Sequence, residues 1–192
     1  MYVNMSKKSL ESKIESKRQE WLVRSAAALS IDPEEAKDLL SIERRQSIRI
    51  NPLKGDPSRT LKDMEDLGWE GEQYSWMAEG YTMDLGREAL RDSSLIDEGK
   101  IYIQNAASWL SALVLDPKPG DKIIDVCAAP GGKTTHLAAI TNNKARITAN
   151  DNAIKRLHQL QGNCLRLGAD IEKFTLYDAT NICLQTKRRV IR

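Results

Sequence analysis

DKIIDVCAAPGGKTTH, residues 121–136, decides the fold class of this chain. An apolar run, Ile123-Ile124-Asp125-Val126, stops at Cys127-Ala128-Ala129-Pro130-Gly131-Gly132-Lys133, and a helical pattern begins at Thr134. Strand, small-residue loop and helix in that order form the unit with which open α/β sheets hold nucleotide-like ligands at the carboxyl ends of their strands. Gly131 and Gly132 let backbone amides approach a ligand with no Cβ in the way. The helix start adds unpaired N–H groups and a positive dipole end, which suit a carboxylate or phosphate. Two adjacent glycines after a proline at such a junction are more than packing requires. Gly132-Lys133-Thr134 matches the end of a P-loop, but GxxxxGK[ST] needs glycine where Cys127 stands, and GxGxxG is absent.

Downstream the alternation continues. Strands are expected at 122–126, 146–150 and 173–177, with helices at 134–140 and 153–167. Such βαβαβ order means parallel strands joined by right-handed crossovers. Asp151 follows the second strand, where a carboxylate can accept hydrogen bonds from ribose hydroxyls; it is equally placed to cap the helix starting near Ala153. Asp178 follows the third strand and suits either an exocyclic amino group or a solvated turn. Three parallel strands are half of a doubly wound sheet, and the first would be left with an open apolar edge. A longer domain, or another element completing the sheet, is therefore expected.

Upstream, Asp116-Pro117-Lys118-Pro119-Gly120-Asp121 is the clearest linker-like punctuation, preceded by an apolar helix over Ala106–Leu115. From Ser9 to about Leu29 the pattern is helical, with Leu10, Ile14, Trp21, Leu22, Ala26 and Leu29 on one side. Asp32-Pro33-Glu34-Glu35 starts a second helix, Asp32 as N-cap, with Ala36, Leu39 and Leu40 inward. Residues 47–53 alternate as a strand, Ile48 and Ile50 against Arg49 and Asn51, with Pro52 marking an edge or an end. TLKDMEDLG (60–68) is a short helix with Leu61, Met64 and Leu67 inward and Gly68 as its stop. Residues 93–103 are expected to form two strands around an Asp97-Glu98-Gly99-Lys100 turn. The domain expectation is a helical lead (1–45), a small α+β unit (46–104) and a partial ligand-binding α/β domain (105–192).

The 192 residues are 41% hydrophobic and 29% charged, with a net charge of only +2, so any polyanion binding must come from local clusters. Arg44, Arg45, Arg49, Lys54 and Arg59 form one, which is either a solvated face or a phosphate-contacting one. The three cysteines, Cys127, Cys164 and Cys183, contain no CxxC pair and suit a reducing, cytoplasmic setting. Cys127 reads as a small strand-end residue and Cys164 as a core or half-buried one, Cys183 has no base or helix start nearby to lower its pKa, and none is taken as a nucleophile. His136 and His158 lack metal-ligand partners, so no metal is expected. No apolar run is long enough to span a bilayer, and no hydrophobic signal core is present.

Asp125 to Ala138, DVCAAPGGKTTHLA, resembles the S-adenosylmethionine loop of the Sun-type (RsmB/NOP) RNA cytosine-5 methyltransferases, which act on ribosomal and transfer RNA. The likeness extends over about residues 45–180. Gln104-Asn105-Ala106-Ala107-Ser108 matches a Gln-Asp/Asn-x-x-Ser segment, RINPLK (49–54) a motif preceding the core, and ITANDNAIKRLHQLQGNCLRLG the ribose-binding strand and helix. The resemblance implies a Rossmann-like class I methyltransferase sheet, preceded here by a helical lead and a small α+β unit of RNA-binding type. It implies S-adenosyl-L-methionine as cofactor, held by Cys127, Ala128, Ala129, Pro130, Gly131, Gly132 and Lys133, with Asp151 on the ribose and Asp178 near the adenine. RNA is the implied partner, with Arg45, Arg49 and Lys54 as candidate contacts.

The family mechanism is covalent: a cysteine thiolate adds to cytosine C6 so that C5 takes the methyl group, and a base removes the C5 proton. The family's nucleophile and product-release cysteine lie on Asp-Ala-Pro-Cys and Thr-Cys-Ser-type elements. Neither occurs in this sequence, and Cys183 matches neither. No catalytic residue is therefore assigned, and the chain by itself is expected to be incomplete and inactive. The alternative is a non-catalytic RNA-binding fragment.

Overall fold

A computed structural model describes residues 7–41 and 45–181. The chain divides into two compact units, Met1–Arg44 and Arg45–Arg192.

The first unit is a helical hairpin. Helix α1 spans Lys7–Leu29 and α2 spans Pro33–Ser41. Asp32 ends the intervening turn, its carboxylate accepting from the amides of Glu34 (2.7 Å) and Glu35 (3.1 Å), with Pro33 at the first helical position. Ala26 and Ala36 are the buried positions. Much of the rest of the expected apolar side is corrected: Leu22 is half-buried, and Ile14, Trp21, Leu29, Leu39 and Leu40 are exposed, because the nine-residue α2 is too short to cover the long face of α1.

Among the described residues the second unit contains two sheets. Strand β1 (Gln46–Ile50) leads through a 3-10 turn at Pro52–Lys54 into α3 (Pro57–Asp66), which Asp56 caps by accepting from the Arg59 amide at 3.1 Å. Next come β2 (Gly80–Met83), the short helices α4 (Arg87–Arg91) and α5 (Ser94–Asp97), and β3 (Ile101–Ile103). The antiparallel order is β2-β1-β3, with Arg49 opposite Tyr102 and Ile48 opposite both Tyr81 and Ile103. Ile48, Ile50, Met64, Trp69, Leu90 and Ile101 fill its core.

Several expectations change here. Of the two readings of Pro52 the strand end holds and the edge does not: β1 is the central strand, and Pro52 lies past its end, where a missing N–H costs no ladder bond. Arg49 and Asn51 face inward and not toward solvent, because β1 is covered on both faces. Over 93–103 the first expected strand is instead the single turn α5; Ser93 and Ser94 favour a helix start over a strand. Leu67, past the end of α3, is exposed. The expected Ala106–Leu115 helix is a 3-10 turn at Ala106–Ser108 followed by α6 (Leu110–Leu115).

The parallel sheet follows the sequence expectation closely. It comprises β4 (Lys122–Asp125), α7 (Gly132–Ile140), β5 (Arg146–Asn150), α8 (Ile154–Leu167) and β6 (Lys173–Thr175), in the order β4-β5-β6. Because each crossover steps the same way and is right-handed, α7 and α8 share one face. Ile147 and Ala149, two residues apart on β5, face them: Ile147 packs with Leu137 and Ala138 of α7, Ala149 with Leu157 and Leu160 of α8. Ile124 and Thr148, neighbours on the other face, are half-buried. Among the described residues β4 is an edge strand, and Val126 beyond it is exposed.

Candidate functional site

The three parallel strands deliver Asp125, Asp151 and Asp178 to one edge of the sheet: Asp125 ends β4, Asp151 directly follows β5, and Asp178 follows β6. The loop Cys127–Gly131 crosses in front of them. Asn150, fully buried, ties the strand ends together. Its amide nitrogen donates to the carbonyls of Val126 (3.0 Å) and Tyr177 (2.9 Å), and its oxygen accepts from the Thr175 hydroxyl (2.8 Å) and the Tyr177 amide (3.0 Å). One side chain thus fixes the spacing of all three strands where the loop begins.

The loop is held at nearly every residue. The Ala128 amide donates to the Asn150 carbonyl (2.8 Å), and the Ala129 amide to Asp151 Oδ2 (3.3 Å). The Ala129–Pro130 bond is cis. Asn163 of α8 donates to the Pro130 carbonyl (2.8 Å), and Arg156 donates to the Ala129 carbonyl (2.9 Å). Gly131 has φ +110°, a conformation that side-chain-bearing residues avoid, and it turns the chain into α7. At Gly132 a Cβ would lie 2.8 Å from Gln104 Nε2, the end of a flexible side chain that can shift. The turn conformation accounts for Gly131.

Asp151 is 2% exposed. Oδ1 accepts from the Ala153 amide (3.1 Å), which is the capping role allowed for in the sequence, while Oδ2 meets Ala129 N and Arg156 Nη2 (3.3 Å). Arg156, whose side chain is 53% exposed, is the partner on the solvent side. Asp178 is exposed; it accepts from the Thr180 hydroxyl and amide, which hold its carboxyl below the usual range. Cys127 and Lys133 are exposed at the mouth of the loop. The Thr134 hydroxyl donates to Asp125 Oδ2 at 2.7 Å, fixing α7 against β4.

Residues named for RNA contact are placed differently. Arg45 is exposed but faces Glu72 (3.6 Å) and Asp84 (3.7 Å). Arg49 is 1% exposed and donates to Thr135 Oγ1 (3.2 Å), so its expected surface role is overturned. The aliphatic part of Lys54 packs over Gly168 at the end of α8. Arg44 lies outside the described residues, as does Cys183. Cys164 is buried beside Asp125, and burial with that charge pushes its thiol up to about 12. Sequence reasoning missed Asn150, Arg156 and the Asp125–Thr134 bond. Arg156 had a signal: five residues past an acid at a strand end, it lies on the first turn of the next helix.

Residues 112–190 match the family model described as 16S rRNA methyltransferase RsmB/F. Over that segment the chain is similar to this RsmB/F methyltransferase family. Among curated family relatives, ribosomal RNA small subunit methyltransferase F of Serratia proteamaculans is 38% identical over 138 residues, 70% of this chain and 29% of that protein. Mouse tRNA (cytosine(72)-C(5))-methyltransferase NSUN6 is 45% identical over 80 residues, 42% of this chain and 17% of that protein. The chain therefore spans less than a third of the length of these relatives. A solved methyltransferase homologue from Pyrococcus horikoshii superposes with a TM-score of 0.72 at 26% identity, covering 85% of this chain and 58% of that one. The α/β fold is that of its methyltransferase neighbours. No helix among the described residues is long and apolar enough to cross a membrane.

Proposed function

We infer that this chain supplies the cofactor-binding portion of an RNA cytosine-5 methyltransferase that uses S-adenosyl-L-methionine as methyl donor. The observation that carries the reading is the cradle at the strand ends: a fixed loop, a helix N-terminus and three carboxylates on one edge, inside the segment that matches the family. Its donor set fits such a group. First-turn amides of α7 suit a carboxylate, because a helix leaves them without intrahelical partners. Carboxylates suit ribose hydroxyls and an adenine amino group, which are donors. Cys127–Lys133 would hold the amino-acid end, Asp151 the ribose and Asp178 the adenine side. When bound, the group supplies an electrophilic methyl on a sulfonium. Asp151 meets it only if Arg156 yields or shares the carboxylate, so Arg156 orders that oxygen before ligand arrives.

Neither described cysteine is assigned as nucleophile. Cys164 is buried and held protonated, and Cys127 belongs to the loop. RNA is the proposed substrate, through ribosomal or transfer RNA relatives. Calorimetric titration with S-adenosylhomocysteine tests the cofactor reading: binding is expected, with a loss of at least about tenfold in Asp151→Ala, the loss of one charged hydrogen-bond acceptor. No heat with the unaltered chain overturns it. Methyl transfer to cytosine in ribosomal or transfer RNA is expected to be undetectable from this chain alone; robust transfer overturns the nucleophile assignment.

A further inference from the structure

The first turn of α7 has a second wall. On one side Thr134 is tied to Asp125 of β4; on the other the helix rests on the antiparallel sheet. Gly132 lies so close to β3 and the segment after it that a Cβ would sit 2.8 Å from Gln104 Nε2 and 3.3 Å from Tyr102 Cε1. Beneath this contact is Arg49 of β1, its guanidinium 6.0 Å from the centre of the Tyr102 ring. Arg49 donates to the Thr135 hydroxyl, and the Thr135 amide closes the first helical turn on the Gly131 carbonyl at 2.8 Å. Arg49 therefore touches the residue that locks the end of the ligand loop.

Arg49 is also a buried cation without a close counter-ion. Its Nε and Nη1 have no hydrogen-bond partner among the described residues. Glu79 shares with it the wall of a cavity of about 100 Å³ and acts on it through space, but forms no ion pair with it among the described residues. Facing it from α7 is His136, which burial and the Arg49 charge push down to about 3 and so keep neutral. Burying a charge this way is costly, and packing alone is served as well by methionine or leucine. What distinguishes the position is its neighbour: a helix N-terminus, already positive, at the proposed ligand cradle. A buried charge is screened far less than the exposed Lys133.

We propose that Arg49 is a positioning residue for the ligand loop, pinning the first turn of α7 through Thr135 and adding its buried positive charge to the anion-binding end of that helix. The ligand group favoured is the carboxylate of the amino-acid moiety. The inference rests on the function proposed above and concerns a residue outside the matched segment 112–190.

The test separates charge from shape. S-adenosylhomocysteine carries the amino-acid carboxylate; 5′-methylthioadenosine lacks it. Calorimetry on the full chain with Arg49→Met is expected to weaken methylthioadenosine only as far as Thr135→Val does, through the lost pin, and to weaken S-adenosylhomocysteine about tenfold further, in the upper range for a charge at a helix end. Arg49→Lys is expected to restore most of the difference. Thr135→Val, which keeps the charge and removes the pin, is expected to weaken both ligands alike. In the ligand-free chain, hydrogen exchange of the Thr135 amide is expected to quicken in Thr135→Val and Arg49→Met. Equal weakening of both ligands by Arg49→Met, or no recovery in Arg49→Lys, overturns the charge role. If Arg49→Met does not fold, an Arg49→Lys chain that loses the preference for the carboxylate-bearing ligand overturns it. If the unaltered chain binds neither compound, the cofactor reading fails, and unchanged Thr135 exchange in Thr135→Val separately overturns the pinning.

Discussion

Asn150 satisfies four hydrogen bonds with one amide, and none of its atoms reaches solvent. Replacing it with alanine strands two carbonyls, an N–H and a hydroxyl at the ends of three strands. Stability is expected to fall by about 2–4 kcal/mol, read as a lower urea midpoint at unchanged slope. His136 makes a pH prediction. Its imidazole is neutral in the native chain, pushed down to about 3 by burial and by Arg49, whereas in the unfolded chain it titrates near 6.5. Between those values the unfolded state holds more protons, so its contribution to stability is present above about 6.5 and is lost as pH falls toward 3. His136→Gln is expected to flatten that part of the curve; an unchanged slope refutes the assignment. Of these residues the sequence exposed little: Asn150 stood out only as the neighbour of Asp151, and nothing local reports that a histidine on a helix will be sealed by another sheet.

At the scale of elements, what could be read was what is local. β4, α7, β5 and α8 are short runs with one period each, punctuated by Gly, Pro and Asp, and their bounds were legible to within a few residues. On β1 the alternation held, and what it could not report is that both faces are covered: Ile48 and Ile50 pack in the sheet core while Arg49 and Asn51 face the α7–α8 layer. α5 misled because a single turn carries too few residues to show a period. Gly99 gives the element-scale prediction. It follows α5 at φ +73°, and a Cβ there would stand 2.2 Å from the Arg166 carbonyl of α8. Gly99→Ala is expected to cost at least about 2 kcal/mol and to quicken amide exchange in β3 and the end of α8 together. Confinement of the effect to the turn argues that the contact does not couple them.

At the scale of the whole molecule, the RINPLK stretch looked in the sequence like a surface for a polyanion, and the structure makes most of it a fastener within the second unit. Arg49 meets α7, Asn51 donates to the Gly99 carbonyl (2.9 Å) and the Leu167 carbonyl (2.8 Å), and Lys54 covers Gly168. Sequence spacing could not disclose this, because the partners of Asn51 are set by the meeting of two sheets. The bond from Asn51 to Leu167 joins positions 116 residues apart. A chain emerging from the ribosome therefore carries Asn51 well before its acceptor exists. The strands of the antiparallel sheet lie within residues 46–103 and can pair before then; what waits for α8 is the second bond of Asn51, the one to the Leu167 carbonyl. The order of synthesis thus leaves the docking of the early sheet on α8 as a late step.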